Sequence, residues 1–206
     1  MIIIWLMISC FMAIILNFTS AKVINAVEVD VLETAKSIEN GVTRRVLPLW
    51  LIIIYMVTTT YIAYLINNEY IFLLTMIIIS IASIIDIIRN WIPDLLIFVT
   101  VALSFMGTSN EHSVIIISCI IALSPLFIIN LISFKKNNTT AIAAGDLYII
   151  ATLSLWLTPL TSLTLSALII ISTTFFSFVS KVINIPLVPF IHFSFLLTFA
   201  VQHNLL

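Results

Sequence analysis

A chain of 206 residues that is 62% hydrophobic and only 8% charged, with a mean hydropathy of +1.28, excludes a soluble globular domain. Soluble domains carry about 25% charged residues, and so few charges cannot cover a water-facing surface. The expected class is all-α, a polytopic transmembrane helical bundle of about eight helices. The net charge of −1 says little about partners, whereas the placement of the charges says more.

Residues 1–18 are nearly all apolar and begin without a basic residue. A cleaved signal peptide would carry a basic start and a small-residue cleavage site. An uncleaved first transmembrane helix is therefore expected, with its N-terminus on the non-cytoplasmic side. Residues 19–46 form the longest polar stretch, with Lys22, Glu28, Asp30, Glu33, Lys36, Glu39, Arg44 and Arg45. They read as a short cytoplasmic loop, too short for a core of its own. Spaced apolar positions within it predict an amphipathic helix that Gly41 ends.

A hydrocarbon core of roughly 30 Å needs about 20 helical residues. The apolar runs that follow predict helices over 47–66, 70–88, 93–108, 113–134, 142–157, 161–180 and 182–203, which makes 47–206 a seven-helix membrane domain. Residues 135–141 read as a polar loop. Trp5, Trp50, Trp91 and Trp156 lie near expected helix ends and read as interfacial anchors. Cys10 and Cys119 sit in apolar runs without a CxxC pair, so they read as buried, inert thiols and no zinc site of the usual spacing is expected.

Charge checks this helix count. With the N-terminus outside, Lys22, Lys36, Arg44, Arg45, Arg89, Lys135, Lys136 and Lys181 all fall on one side, and the opposite turns carry Glu69, Glu111 and His112. The positive-inside rule makes the basic side cytoplasmic. It also places two acids at that boundary: Asp86 near the end of the third helix and Asp146 at the start of the sixth. An acid at a membrane boundary is costly to desolvate and is a functional candidate.

Two carboxylates held about 4 Å apart at an effective dielectric near 20 repel by about 4 kcal/mol, so a close pair shares one proton. The ionised member accepts a proton from water and the protonated member hydrogen-bonds a peptide carbonyl, which is general acid–base hydrolysis without metal, cofactor or covalent intermediate. Around the pair, Pro93 suits a first helical turn, and Asp94 complements the helix dipole and can cap free N–H groups. Gly145 is one of three glycines, and its place directly before Asp146 predicts a close approach or an unusual turn. The bland alternatives are an Asp86–Arg89 pair along one helix and a helix-start acid at Asp146. His192 reads as a packed histidine, and Lys135 and Lys136 as topology determinants.

These residues resemble the GxGD-type aspartic proteases of membranes, most closely the type IV prepilin peptidases. In that family the first aspartate precedes a Pro-Asp or Pro-Asn by six intervening residues, as Asp86 precedes Pro93-Asp94 here. The second ends a GxGD motif, matched by Ala143-Ala144-Gly145-Asp146. A Pro-rich start of the last helix is matched by Ile185-Pro186-Leu187-Val188-Pro189-Phe190. The resemblance spans roughly residue 47 to the C-terminus. It implies that Asp86 and Asp146 are catalytic, that Pro93, Asp94, Gly145, Pro186 and Pro189 support them, and that the substrates are type IV prepilins or pseudopilins cut at the cytoplasmic face of the inner membrane. The chain departs from the family in three places: Ala143 replaces the first glycine, Tyr148 stands where a lysine is common, and 19–46 is short and has no cysteine. Leader cleavage without N-methyltransferase activity is therefore expected, with the lipid bilayer as surroundings and no nucleic-acid partner. The rivals are a non-catalytic subunit of a pilus or secretion machine, a small proton-coupled transporter, and a related peptidase for another short-leader substrate.

Overall fold

The structure, a computed structural model, describes residues 2–15, 47–181, 185–203 and 205. The expected loop at 19–46 with its amphipathic helix lies outside the described residues, as do 16–18 and 182–184. Among the described residues the fold is an all-helical bundle of eight helices: α1 (Ile2–Ile15), α2 (Leu49–Ile66), α3 (Tyr70–Arg89), α4 (Asp94–Gly107), α5 (His112–Asn137), α6 (Ala144–Ser154), α7 (Pro159–Ser180) and α8 (Val188–Gln202). Four of them, α2, α3, α5 and α7, are long and apolar enough to cross a membrane, and the other four are apolar but shorter. The eight expected crossings thus become four full-length helices and four short ones. With 11 residues, α6 rises about 16 Å, roughly half a hydrocarbon core.

The helix α3 is the centre of the bundle. Of its most apolar window 67% is buried, against 28% for α2 and 22% each for α5 and α7. Ser80, Ala82 and Ser83 let neighbouring backbones approach closely, as small residues do in membrane bundles, and all three are buried. The helix packs on α2, α4 and α8, while α6 packs on α4, α5 and α8. The first helix docks on this group through Ser9, whose hydroxyl pairs with Thr60 at 2.6 Å.

The short α6 ends in a turn at 155–157 whose three residues are no more than 5% exposed. Non-helical backbone at this depth needs protein partners for its carbonyls, and each has one. Leu155 O accepts from Thr108 Oγ1 (2.7 Å) and Asn110 Nδ2 (2.8 Å), Trp156 O from Gln202 Nε2 (3.1 Å), and Leu157 O from Ser118 Oγ (2.9 Å). Trp156 is therefore not the interfacial anchor expected from its place near a helix end. It is 5% exposed and sets its ring edge-on to Phe72 at 5.4 Å, while Trp50 and Trp91 are exposed. Gly107 makes room for that ring: a Cβ there would run into Trp156 and come within 2.7 Å of Ile71 Cγ2.

At the opposite end α3, α5 and α7 terminate alike. Asn90, Asn138 and Lys181 adopt left-handed φ of 51°, 54° and 55°, and their N–H groups close the last turns onto Asp86 O, Phe134 O and Ser177 O. Arg89, Lys135 and Lys136 lie in the last turns of α3 and α5, where cations complement the helix dipole. Lys135 and Lys136 are thus helical rather than in the expected loop. Within α5, Pro125 cannot bond Ile121 O, and the Ser124 hydroxyl donates to that carbonyl instead at 3.2 Å. The cysteines are half-buried rather than buried; the Cys119 thiol donates to Ala151 O at 3.4 Å.

Candidate functional site

Asp86 sits one turn before the end of α3, at the end of the bundle that carries Arg89, Lys135, Lys136 and Lys181. It is 5% exposed and is not left without partners. Its Oδ2 accepts the Val188 N–H at 2.9 Å, and the Leu187 N–H also bonds the carboxylate. These are the first donors of α8, which has Leu187 as its N-cap. The local sequence explains why they come to Asp86. Pro186 precedes the cap and Pro189 follows it, and neither has an N–H to satisfy. The N–H groups of Phe190 and Ile191 both reach Leu187 O at 3.0 Å. The Leu187 and Val188 N–H groups remain, and Asp86 takes both. A carboxylate at a helix N-terminus also meets the positive end of the dipole.

Asp146 lies in the first turn of α6, 9% exposed. Its carboxylate bonds back to the backbone of Ala143, the N-cap, in the manner of the acidic half of a capping box. The loop before it is held by Asn130 of α5, whose amide donates to Ile142 O at 3.0 Å and accepts from Ile142 N at 2.7 Å. Sequence reading missed Asn130; a lone amide in an apolar helix facing a following loop is the signal that could have found it.

The two aspartates come together. α3 and α6 both pack on α4 and on α8, so they stand diagonally, and the carboxylates lie within Coulombic reach of one another. Gly145 helps to join the two segments. A Cβ at Gly145 would meet Ile97 Cδ1 at 3.4 Å and Ile92 Cδ1 at 3.7 Å, so the start of α6 packs on the start of α4. The expected unusual turn is absent: Gly145 is helical, and no described glycine has positive φ. Ala143, with φ −68° and ψ 152°, is in a region open to any residue. Pro93 proves to be the N-cap of α4 rather than part of its first turn. Asp94 is an exposed first-turn acid that complements the helix dipole.

Surface depressions of about 510, 340 and 330 Å³ lie away from the pair, around the 67–69 turn and between the far halves of α2 and α8, and none is lined by Asp86 or Asp146. Among the described residues no three His, Cys, Asp or Glu side chains converge as a metal would require. His192 is fully buried and pairs through Nδ1 with the Tyr55 hydroxyl at 3.0 Å.

No protein-family model matches this sequence, and no curated protein or solved structure shows significant similarity to it.

Proposed function

We propose that this chain is a membrane aspartic endopeptidase in which Asp86 and Asp146 act as one acid–base pair on the leader peptides of type IV prepilins or pseudopilins. The observation that carries the reading is the convergence of two carboxylates, distant in sequence, within Coulombic reach at one end of a membrane bundle. In a pair holding one proton, the ionised member takes a proton from water as the water oxygen attacks the peptide carbonyl carbon. The protonated member donates to the carbonyl oxygen. Collapse of the tetrahedral diol breaks the C–N bond, and a carboxyl proton passes to the leaving amine. With exposures of 5% and 9%, the pair is reached by a peptide only when the ends of α4, α6 or α8 part.

Arg89, Lys135, Lys136 and Lys181 flank this end, so the positive-inside rule sets it toward the cytoplasm of an inner membrane, with both termini opposite. The replacement of the first motif glycine by Ala143 is compatible with catalysis, since its backbone there demands no glycine. Leader cleavage without N-methylation fits the lack of cysteine in 19–46.

A second reading, a non-catalytic membrane subunit of a pilus or secretion machine, is favoured by one observation. Both carboxylates accept backbone N–H groups at helix starts, a task that is purely architectural. The deciding experiment incubates the protein in membranes with prepilin-like substrates bearing a basic leader that ends in glycine. The product N-terminus is then read by mass spectrometry. A cut directly after that glycine is expected; wild type inert on several such leaders favours the second reading.

A further inference from the structure

Beside the aspartates the bundle buries a polar group that the proposed reaction leaves unused. His192 is 0% exposed. Its Nδ1 lies 3.0 Å from the Tyr55 hydroxyl, which also pairs with the Ser83 side chain, and the Ser83 hydroxyl donates to Ile79 O at 2.8 Å. His192 Nε2 has no hydrogen-bond partner among the described residues. One donor order satisfies the chain: His192 Nδ1–H to Tyr55, Tyr55 O–H to Ser83, Ser83 O–H to Ile79 O. It selects the Nδ1–H tautomer and leaves Nε2 a bare lone pair rather than an orphaned N–H.

The position of this group is informative. Ser83 is three residues before Asp86 on the same face of α3. His192 is four residues beyond Val188, whose N–H bonds Asp86. The chain therefore ties α2, α3 and α8 together one turn deeper than the Asp86 carboxylate. Apolar contacts are non-directional and leave the rotation and register of a helix in lipid loosely set; interhelical hydrogen bonds set both.

We propose that Tyr55, Ser83 and His192 are positioning residues for Asp86: by locking the first turns of α8 against α2 and α3, they aim the Leu187 and Val188 N–H groups at its carboxylate. The inference rests on the reading of Asp86 as half of an acid–base pair, but its test needs no substrate. Dicyclohexylcarbodiimide labels carboxyl groups that carry a proton in apolar sites. Labelling of Asp86 and Asp146 in membranes is quantified by mass spectrometry across pH in wild type, Tyr55→Phe, Ser83→Ala, His192→Leu and His192→Asn. The titratable groups on the elements around Asp86 are Tyr55, Tyr61 and Tyr64 of α2, Asp94 of α4, Asp146 and Tyr148 of α6 and His192 of α8, with Tyr70 and Arg89 on its own helix. Asp94, Asp146 and Arg89 are unchanged in every variant.

Tyr55→Phe, Ser83→Ala and His192→Leu are each expected to change Asp86 labelling about tenfold at a given pH, the factor one lost buried hydrogen bond carries. Asp146 should change much less, and His192→Asn, which keeps a polar group near the Nδ1 position, should return Asp86 toward wild type. Asp86 labelling within about twofold of wild type overturns the proposal, as does an equal change at both aspartates. Ser83→Ala removes a single oxygen, so its result decides even if larger replacements fail to accumulate. Wild type that labels as expected yet cuts no leader would sink the peptidase reading while leaving the comparison among variants intact.

Discussion

Replacing Asp86 separates two jobs that one carboxylate can hold. It satisfies the Leu187 and Val188 N–H groups at the buried start of α8, where Pro189 supplies no donor and Phe190 and Ile191 are already paired to Leu187 O. Alanine would orphan both N–H groups, at about 1–3 kcal/mol each, or about 4 kcal/mol together. Asparagine keeps an oxygen in the same place and loses about one bond, about 1–2 kcal/mol. In a chain of this size each 1 kcal/mol moves Tm by about 2–4 °C. Asp86→Ala should therefore melt about 8–16 °C below wild type, and Asp86→Asn only about 2–8 °C below. Thermal unfolding of detergent-purified protein, followed by a thiol-reactive dye on the half-buried Cys10 and Cys119, reads both. Alanine and asparagine variants that both melt with wild type would refute the capping role.

Three further outcomes follow from packing. Gly107→Ala drives a methyl into Trp156 and Ile71 and should cost about 1–3 kcal/mol; an unchanged Tm would contradict the enclosed position of that ring. Gly145→Ala places its Cβ at ordinary contact, 3.4 Å from Ile97 Cδ1, and gains up to about 1 kcal/mol of helix propensity, so Tm should hold or rise, and a clear fall would be evidence against this backbone. Asn130→Ala removes both bonds to Ile142, about 1 kcal/mol each. Because those bonds hold the loop before Asp146, leader cleavage should fall by a larger factor than the stability loss explains, and a fall in Tm with full cleavage would separate that loop from the site.

The helix count was legible because apolar runs broken by short polar turns have few other readings, and the expected boundaries of α2, α3, α4 and α7 differ from the observed ones by two residues or fewer. The ends of α5 and α6 and the start of α8 were not: the last helix, expected from 182, begins at Val188, after the non-helical 185–187. Lys135 and Lys136 extend α5 because cations suit a helix C-terminus, although they read as loop. Trp156 read as an anchor because hydropathy reports nearness to a helix end, not that three carbonyls there find side-chain partners in the turn between α4 and α5, in α5 and in α8. At the site, the two aspartates stood out because acids are rare in such a chain. Their helix-start partners did not: an Asp86–Val188 bond is a tertiary fact with no periodicity behind it. Gly145 was read for backbone freedom, yet it serves side-chain packing of Ile92 and Ile97.

The central claim, that Asp86 and Asp146 are one catalytic pair, is tested most directly by leader cleavage in membranes. Wild type, Asp86→Asn and Asp146→Asn are compared at equal expression and with their melting temperatures known. Each asparagine variant is expected to be folded and inactive while wild type cuts after the leader glycine. A folded variant that still cuts would show its aspartate to be a helix cap alone and would contradict the pair.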